Sequence, residues 1–404
     1  MKVLEERAKN IPVYGEYDVA VVGGGVAGIA AALAAARTGA KTILLEREYA
    51  VGGLATLGLV TVYLPLCNGC GKQVSFGIAE ELLRLSVKHG FEKGENSLKA
   101  WFGEEAEDLE MRKKYRYSAR FNAQNFAILA ERALIEAGVE ILYGTAFCDV
   151  ATEGKKVTAL LVENKSGRRA ILVKSVVDAS GDADVFARAG ASTRAFEQGN
   201  LLAAWYYKLE NGEMALRPLG FADIPEKDKA EKTPPPTLVD RRFGGLDGKE
   251  LSEMSVLTHE QMWKDFLKNG ETTKDYAICT MSTIPLLRMT RCPVGKYVLD
   301  DVDAGKRFAD SVGMIPNWKV KGPVYEVPFS CLYGDDFDNV IAAGRCISNT
   351  DAMWDISRVI PCCAVTGQAA GTAAAMTDDF PSFSVEALQK QLRKDGVRLH
   401  ITEL

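Results

Sequence analysis

Gly23, Gly25 and Gly28 stand in G-x-G-x-x-G spacing. Between a strand and a helix, each glycine has its own task. The first makes a tight turn, the second lets backbone approach a pyrophosphate, and the third lets the helix pack close to the strand. The N–H groups and positive dipole end of that helix then face the phosphates. Glu46, further along, is placed to accept hydrogen bonds from ribose hydroxyls. The elements these residues need are present. Asp18–Val22 is a β-branched strand, an alanine-rich helix comes after the glycines, and Lys41–Leu45 is a second strand ending at the acid. All fall in register, which marks a dinucleotide-binding unit rather than a glycine-rich turn in an ordinary core.

The residues just past Glu46 bear on which dinucleotide binds. Arg47 and the pair Gly52-Gly53 complete E-R-x(4)-G-G, which resembles the FAD-binding signature of the glutathione reductase superfamily. Two further segments resemble its other FAD contacts. In VVDASGDADV a strand ends at a small acidic turn carrying Asp178, Gly181 and Asp182. In DNVIAAGRCIS a strand ends in Ala-Gly344, with Arg345 next. Many relatives carry an acid where this chain has Arg345, so the ribityl contact is left to backbone, to Asp182 or to Asp338. With GGLATLGLVT, PLCNGCGKQVSFGIAEELL, RMTRCPVGKYVLDDVDAGKRFADS, YEVPFSCL and SRVIPCCAVTGQAAGTAAA, the resemblance covers most of the chain. It extends to flavoproteins related to heterodisulfide reductase flavin subunits.

That resemblance implies one FAD, held non-covalently, because no histidine or cysteine matches a flavin linkage position. It implies an α/β fold: a Rossmann-like FAD-binding domain whose parallel sheet has a β-meander crossover, with an inserted α+β substrate domain. The expected division is 1–195 and 333–404 for cofactor and 196–332 for substrate. The meander is expected at Ala146–Val150, Lys156–Val162 and Arg169–Val173. Helices are expected at Gly77–His89, Ala123–Ala137, Glu260–Lys268, Val365–Met376 and Val385–Asp395, and strands at Val139–Tyr143 and Asn339–Ala343. Gly244-Gly245 with Gly248 lacks flanking strand and helix, so no second dinucleotide unit is expected.

Several residues could carry redox chemistry beside the flavin. Arg358 precedes Pro361-Cys362-Cys363 and a glycine–alanine helix in which Gly367 would allow close approach to the cofactor. In the superfamily this helix start faces the N1/C2 carbonyl edge, where dipole and guanidinium would stabilise reduced flavin or clamp a carboxylate. An interdomain salt bridge is the alternative. Arg288 and Arg291 form a second cationic pair; Arg291 is read as flavin- or substrate-facing, or else paired with Asp300–Asp303. Cys362 or Cys363 is expected to line the pocket, with Cys362 taken as a catalytic candidate. Cys67 and Cys70 have dithiol spacing, yet lie further from the Gly-Gly pair than the superfamily's redox disulfide. They are read as a loop packing over the isoalloxazine. No second cysteine pair completes a metal site, and the three histidines (His89, His259 and His400) are poorly placed for a general base.

With 404 residues, 47% hydrophobic and 25% charged, the composition is that of an ordinary globular protein. A net charge of −5 offers no attraction to nucleic acid. MKVLEERAKN is charged with no apolar stretch behind it, and no run reaches membrane-span length. Nine scattered cysteines suit reduced thiols in the cytoplasm. The expected partner is a small-molecule substrate, or a redox partner protein if the chain is an electron-transfer subunit. The basic run 112–116 beside GEEAEDLE is read as a solvated, balanced face.

Overall fold

The computed structural model describes residues 4, 8–89, 113, 118–220, 237–268 and 270–404. The 103–110 acidic segment, the 112–116 run apart from Lys113, and Pro234-Pro235-Pro236 lie outside the described residues.

The chain opens with β1 (Val13–Val22), α1 (Val26–Arg37) and β2 (Thr42–Leu45). After a short strand β3 (Val62–Tyr63) come α2 (Ile78–Val87), β4 (Ala119–Arg120), α3 (Ala123–Glu136) and β5 (Glu140–Leu142). Next is a meander of β6 (Ala146–Glu153), β7 (Lys156–Asn164) and β8 (Gly167–Asp178). Strand β8 organises the main sheet. One edge pairs in parallel with β1 along its length. The other pairs antiparallel with β7 over its first half and parallel with β16 (Val340–Ala342) over Val176–Asp178. The sheet order is β5-β2-β1-β8-β7-β6, with β16 beside β8. The sequence divides Arg169–Val173 from the strand ending at Asp178; the structure joins them, because Lys174 and Ser175 continue the extended chain.

Helix α1 lacks an amphipathic stripe because both its faces are covered. Val26 to Ala35 are all buried, as expected for a helix apolar all round. One face lies on the sheet. The other meets α7 (Ile360–Met376), itself buried through its first turns. Gly367 and Gly371 make that crossing tight: a methyl on Gly367 would stand 2.3 Å from the Ala27 oxygen, and one on Gly371 2.0 Å from the Ala31 oxygen. Gly367 therefore serves helix–helix contact rather than approach to the cofactor.

Between β8 and β16 lie α4 (Asp184–Arg188), β9 (Thr193–Ala195), and an antiparallel sheet β11-β10-β12. Its strands are β10 (Ala204–Glu210), β11 (Glu213–Leu219) and β12 (Tyr276–Met281). Against β10 packs α5 (Gly248–Leu267), where Tyr206 and Met262 share a buried cluster. Asp247 caps α5 by accepting from the Glu250 N–H, so the helix begins well before the expected Glu260 and His259 is mid-helix. Strand β13 (Arg291–Pro293) pairs with β9. The hairpin β14 (Ser311–Pro316) and β15 (Val324–Pro328) packs on α7 and α8 (Val385–Lys394). Gln389 on α8 donates 2.9 Å to the Ser311 carbonyl. This hairpin belongs to the core of the cofactor half, although its place in the sequence falls within 196–332. The remaining helix, α6 (Asp351–Ser357), leads into α7. Among the described residues no single helix is long and apolar enough to cross a membrane.

Candidate functional site

The C-terminal ends of β1, β2 and β8 converge where α1 begins, and a cavity of about 530 Å³ opens there. Gly23 turns the chain with φ of +100°. A methyl on Gly28 would lie 1.8 Å from the Gly23 carbonyl oxygen, so this position tolerates no side chain. Gly25 differs: it lines the cavity, and a methyl there would touch nothing within 4 Å. Its missing side chain is open space facing the start of α1. That helix start carries no side-chain cap and no acid in its first turn, so its N–H groups face the cavity. A glycine that packing does not require, beside uncapped N–H donors, is a cradle fitted to a pyrophosphate.

Glu46 closes the other side. Its Oε2 accepts from the Gly24 N–H at 2.7 Å and Oε1 from the Glu48 N–H at 2.8 Å. Burial raises its pKa, and those two hydrogen bonds pull it back. Each carboxylate oxygen keeps a lone pair for a ribose hydroxyl. Arg47 lines the same wall, largely exposed, 3.5 Å from Glu48. Gly52 (φ +108°) and Gly53 (φ +52°) bring the next loop against the cradle. The Gly52 N–H reaches the Gly24 carbonyl at 2.7 Å, and a methyl on Gly53 would stand 3.1 Å from the Gly25 Cα.

The second and third segments are tied by Arg345. Its Nη2 donates to Asp182 at 2.6 Å, Nε to the Gly181 carbonyl at 2.8 Å, and Nη1 to the Leu287 carbonyl at 3.1 Å. Gly181, Asp182, Ala343 and Arg345 line the cavity; Gly344 packs against Ala27 behind it. Asp178 does not line it. Fully buried, it accepts from the Ser180 hydroxyl (2.6 Å) and the Val185 N–H (2.8 Å), holding the turn into α4. Burial pushes its carboxyl up to about 6. Asp338 also lies away from the cavity, its N–H on the Lys155 carbonyl. Of the two acids expected at the ribityl chain, Asp182 lines the cavity and Asp338 does not.

At the inner end stand Arg358, Ile360 and Cys363, where α7 begins with a proline in its first turn and no side-chain cap. Arg358 reaches Asp355 on α6 at 2.5 Å. Cys363, not Cys362, lines the cavity. Burial pushes the Cys363 thiol up to about 12 and the Cys362 thiol well above its usual range, so both are neutral thiols rather than nucleophiles. Arg291 is not in the lining. Its Nη2 pairs with Asp184 at 2.8 Å and its Nε with the Asp182 carbonyl at 2.9 Å, so neither a cavity-facing role nor pairing with Asp300–Asp303 is what the fold gives it. Cys67 is buried and Cys70 exposed, neither lines the cavity, and the Asn68 carbonyl between them accepts from Gly322. That loop packs on the β14–β15 connection instead of over the cofactor site.

The opposite wall is nearly silent in the sequence. Leu251, Ser252 and Ser255 on α5, with Ile284, Pro285 and Leu287, close the cavity from the second sheet's side. The three-residue spacing of Ser252 and Ser255 on one helix face is the only signal of it.

The chain is similar to several known proteins. The family model described as FAD dependent oxidoreductase matches residues 18–204 and 202–392. A thioredoxin reductase of Ureaplasma parvum is 25% identical over 124 residues, which is 31% of this chain and 35% of that protein's length. A geranylgeranyl bacteriochlorophyll reductase-like protein of Thermoplasma acidophilum is similar over 96% of this chain and 93% of its own, at 14% identity and a TM-score of 0.46. THI4 of Thermovibrio ammonificans covers 46% of this chain and 66% of its own, at 22% identity and a TM-score of 0.32. The glycine cradle, the Glu46 wall and the family match over most of the chain lead to one conclusion: the protein belongs to the FAD-dependent oxidoreductase family.

Proposed function

We propose that the protein transfers a hydride between flavin N5 and a small organic substrate admitted to the inner end of the cavity. FAD supplies the two-electron chemistry when bound. The observation carrying this reading is the continuity of one cavity from the Gly25 cradle to Arg345, Arg358 and Cys363.

The chain's residues would act in three ways. The α1 start, Glu46 and the Gly52–Gly53 loop hold the dinucleotide. Arg358 and the uncapped α7 start place fixed positive charge where negative charge develops. Such preorganised groups are worth most in a dry site. Leu251, Ile284, Pro285, Leu287 and Ile360 make that end apolar and exclude water. Cys363 remains a neutral thiol and contributes packing.

The same proposal puts the chain in the glutathione reductase superfamily, among relatives of heterodisulfide reductase flavin subunits, in a reducing cytoplasmic setting. The β5-β2-β1-β8 order with its meander, and nine cysteines all free, support that placement. The test is anaerobic: candidate substrates and reduced nicotinamides are added singly to the purified yellow protein while its visible flavin band is monitored. Bleaching by one small molecule alone is expected. Bleaching only after a partner protein is added would replace hydride transfer by the electron-carrier reading.

A further inference from the structure

We infer that α5 is the outer half of the cofactor clamp: Ser252 and Ser255 accept hydrogen bonds from sugar hydroxyls of bound FAD and so tie the β11-β10-β12 unit to the dinucleotide. This goes beyond hydride transfer and holds in whichever direction electrons flow.

Ser252, Ser255 and Leu251 all line the cavity. Helical spacing puts these three positions within about 100° of arc, so they form one face of α5. Met254, Thr258 and Met262 are buried on the remaining side. There Met262 packs with Tyr206, and the Thr258 hydroxyl donates to the Ala203 carbonyl at 3.3 Å. The helix is thus held on the second sheet from behind while its serines face the cavity. Its start is fixed as well. Glu250 accepts from the Gly244 and Gly245 N–H groups at 3.0 and 2.9 Å. Gly245 lies so close on Leu287 that a methyl there would stand 2.7 Å from that side chain. Leu287 lines the cavity, and its carbonyl accepts from Arg345, whose guanidinium also holds Asp182. The start of α5 is therefore built onto the same wall as Asp182 and Arg345.

Each serine hydroxyl donates to the carbonyl four residues earlier, Ser252 to Gly248 at 2.8 Å and Ser255 to Leu251 at 2.9 Å. A hydroxyl has one proton and two lone pairs. With the proton committed to the helix, each serine offers the cavity an acceptor oxygen. Glu46 and Asp182 add carboxylates to the same cavity. A lining with acceptors on both sides suits a ligand rich in hydroxyl donors. The ribose and ribityl chain are the hydroxyl-bearing parts of FAD, whereas its pyrophosphate is an acceptor and suits the N–H groups of α1. Packing does not demand the serines: Ser252 is exposed and Ser255 half-buried, and alanine is the better helix former at both places.

The test compares the full chain with the double variant Ser252→Ala/Ser255→Ala, titrating FAD into each after the flavin has been stripped and reading flavin fluorescence. Two lost hydrogen bonds should weaken FAD by at least about fivefold. The stripped variant should melt no lower than the stripped wild type, because alanine favours the helix. Ser255→Trp, which places a ring in the cavity, should fold and remain colourless. Hydrogen exchange supplies a reading independent of affinity: FAD should slow amide exchange over 248–258 in the wild type and less so in the double variant. Titration of ADP and of FMN separates the two sugars, a loss confined to ADP assigning the ribose and one confined to FMN the ribityl chain. FAD affinity within twofold of wild type in the double variant, a fully yellow Ser255→Trp protein, α5 exchange indifferent to FAD, or weaker FAD binding matched by a lower melting point of the stripped variant would each overturn the inference. None of these readings needs turnover, so they stand apart from the fate of the hydride-transfer reading.

Discussion

Arg345 and Asp182 form a 2.6 Å ion pair that locks the turn after β8 to the turn after β16. With the Gly181 and Leu287 carbonyls, Arg345 ties together three loops around the cavity. The cation that follows Ala343-Gly344 is thus met by an acid from the neighbouring turn across the gap.

Removing one partner of this pair leaves the other largely shielded from water without its counter-charge. Arg345→Ala should cost about 3 kcal/mol of stability and loosen FAD, because Gly181 and Asp182 lose their anchor. Denaturant unfolding of the FAD-loaded protein, with flavin release read by fluorescence, measures both. Stability and affinity within error of wild type would show the pair to be dispensable.

Gly25 and Gly28 should separate binding from folding. Gly25→Val puts a side chain into open cavity space, so it should yield folded, colourless protein. Gly28→Ala drives a methyl into the Gly23 carbonyl, so it should fail to fold or melt far lower. Circular dichroism and the visible spectrum of both variants check this. A folded Gly25→Val that stays yellow would place the pyrophosphate elsewhere.

Asp178 makes a pH-dependent contribution of unusual sign. Its folded carboxyl titrates at about 6, against about 3.9 in an unfolded chain. Between those values the folded state keeps a proton that the unfolded state has released. Its contribution is therefore full below pH ~4, lost as pH rises through about 6, and level above, a change of about 3 kcal/mol. The stability of wild type minus that of Asp178→Asn should fall over this window. A difference that grows with pH would contradict the buried-carboxylate account.

Thiol reactivity should track exposure and not the C-x-x-C spacing. Cys70 and Cys279 are exposed and should alkylate at mildly alkaline pH. Cys363, pushed up to about 12, has on the order of one thiolate in ten thousand at pH 8 and should stay unmodified in the folded protein. Peptide mapping after alkylation gives the answer. Cys70→Ser should leave flavin reduction unchanged; a loss of activity would revive the dithiol.

The cofactor unit is legible in the sequence because its residues act locally. Turn, helix start and strand end are consecutive in the chain, so Gly23, Gly25, Gly28 and Glu46 can be placed by spacing alone. The inner end is not legible in this way. Arg345 finds Asp182, and Arg288 comes near Arg358, only through tertiary packing. Arg288 and Arg291 look like one cationic pair in sequence, yet β13 begins at Arg291, which pairs with Asp184. Gly367 misleads for a related reason: a small residue on a helix marks a close approach without naming what approaches, and here it is α1. The length of α5 is hidden because its first turns carry few buried apolar residues, and the Asp247 cap is the better signal.

The central claim is that positive charge at the start of α7 acts on the redox centre of a flavin bound in this cavity. The two-electron midpoint potential of bound FAD, compared between wild type and Arg358→Ala at full FAD occupancy, tests it without knowing the substrate. Loss of a fixed cation should disfavour the reduced, anionic flavin, lowering the potential by about 30 mV or more, where 30 mV corresponds to about 1.4 kcal/mol. Arg358→Lys should fall between the two. An Arg358→Ala protein that retains FAD at an unchanged potential would make Arg358 a purely structural partner of Asp355 and contradict the account.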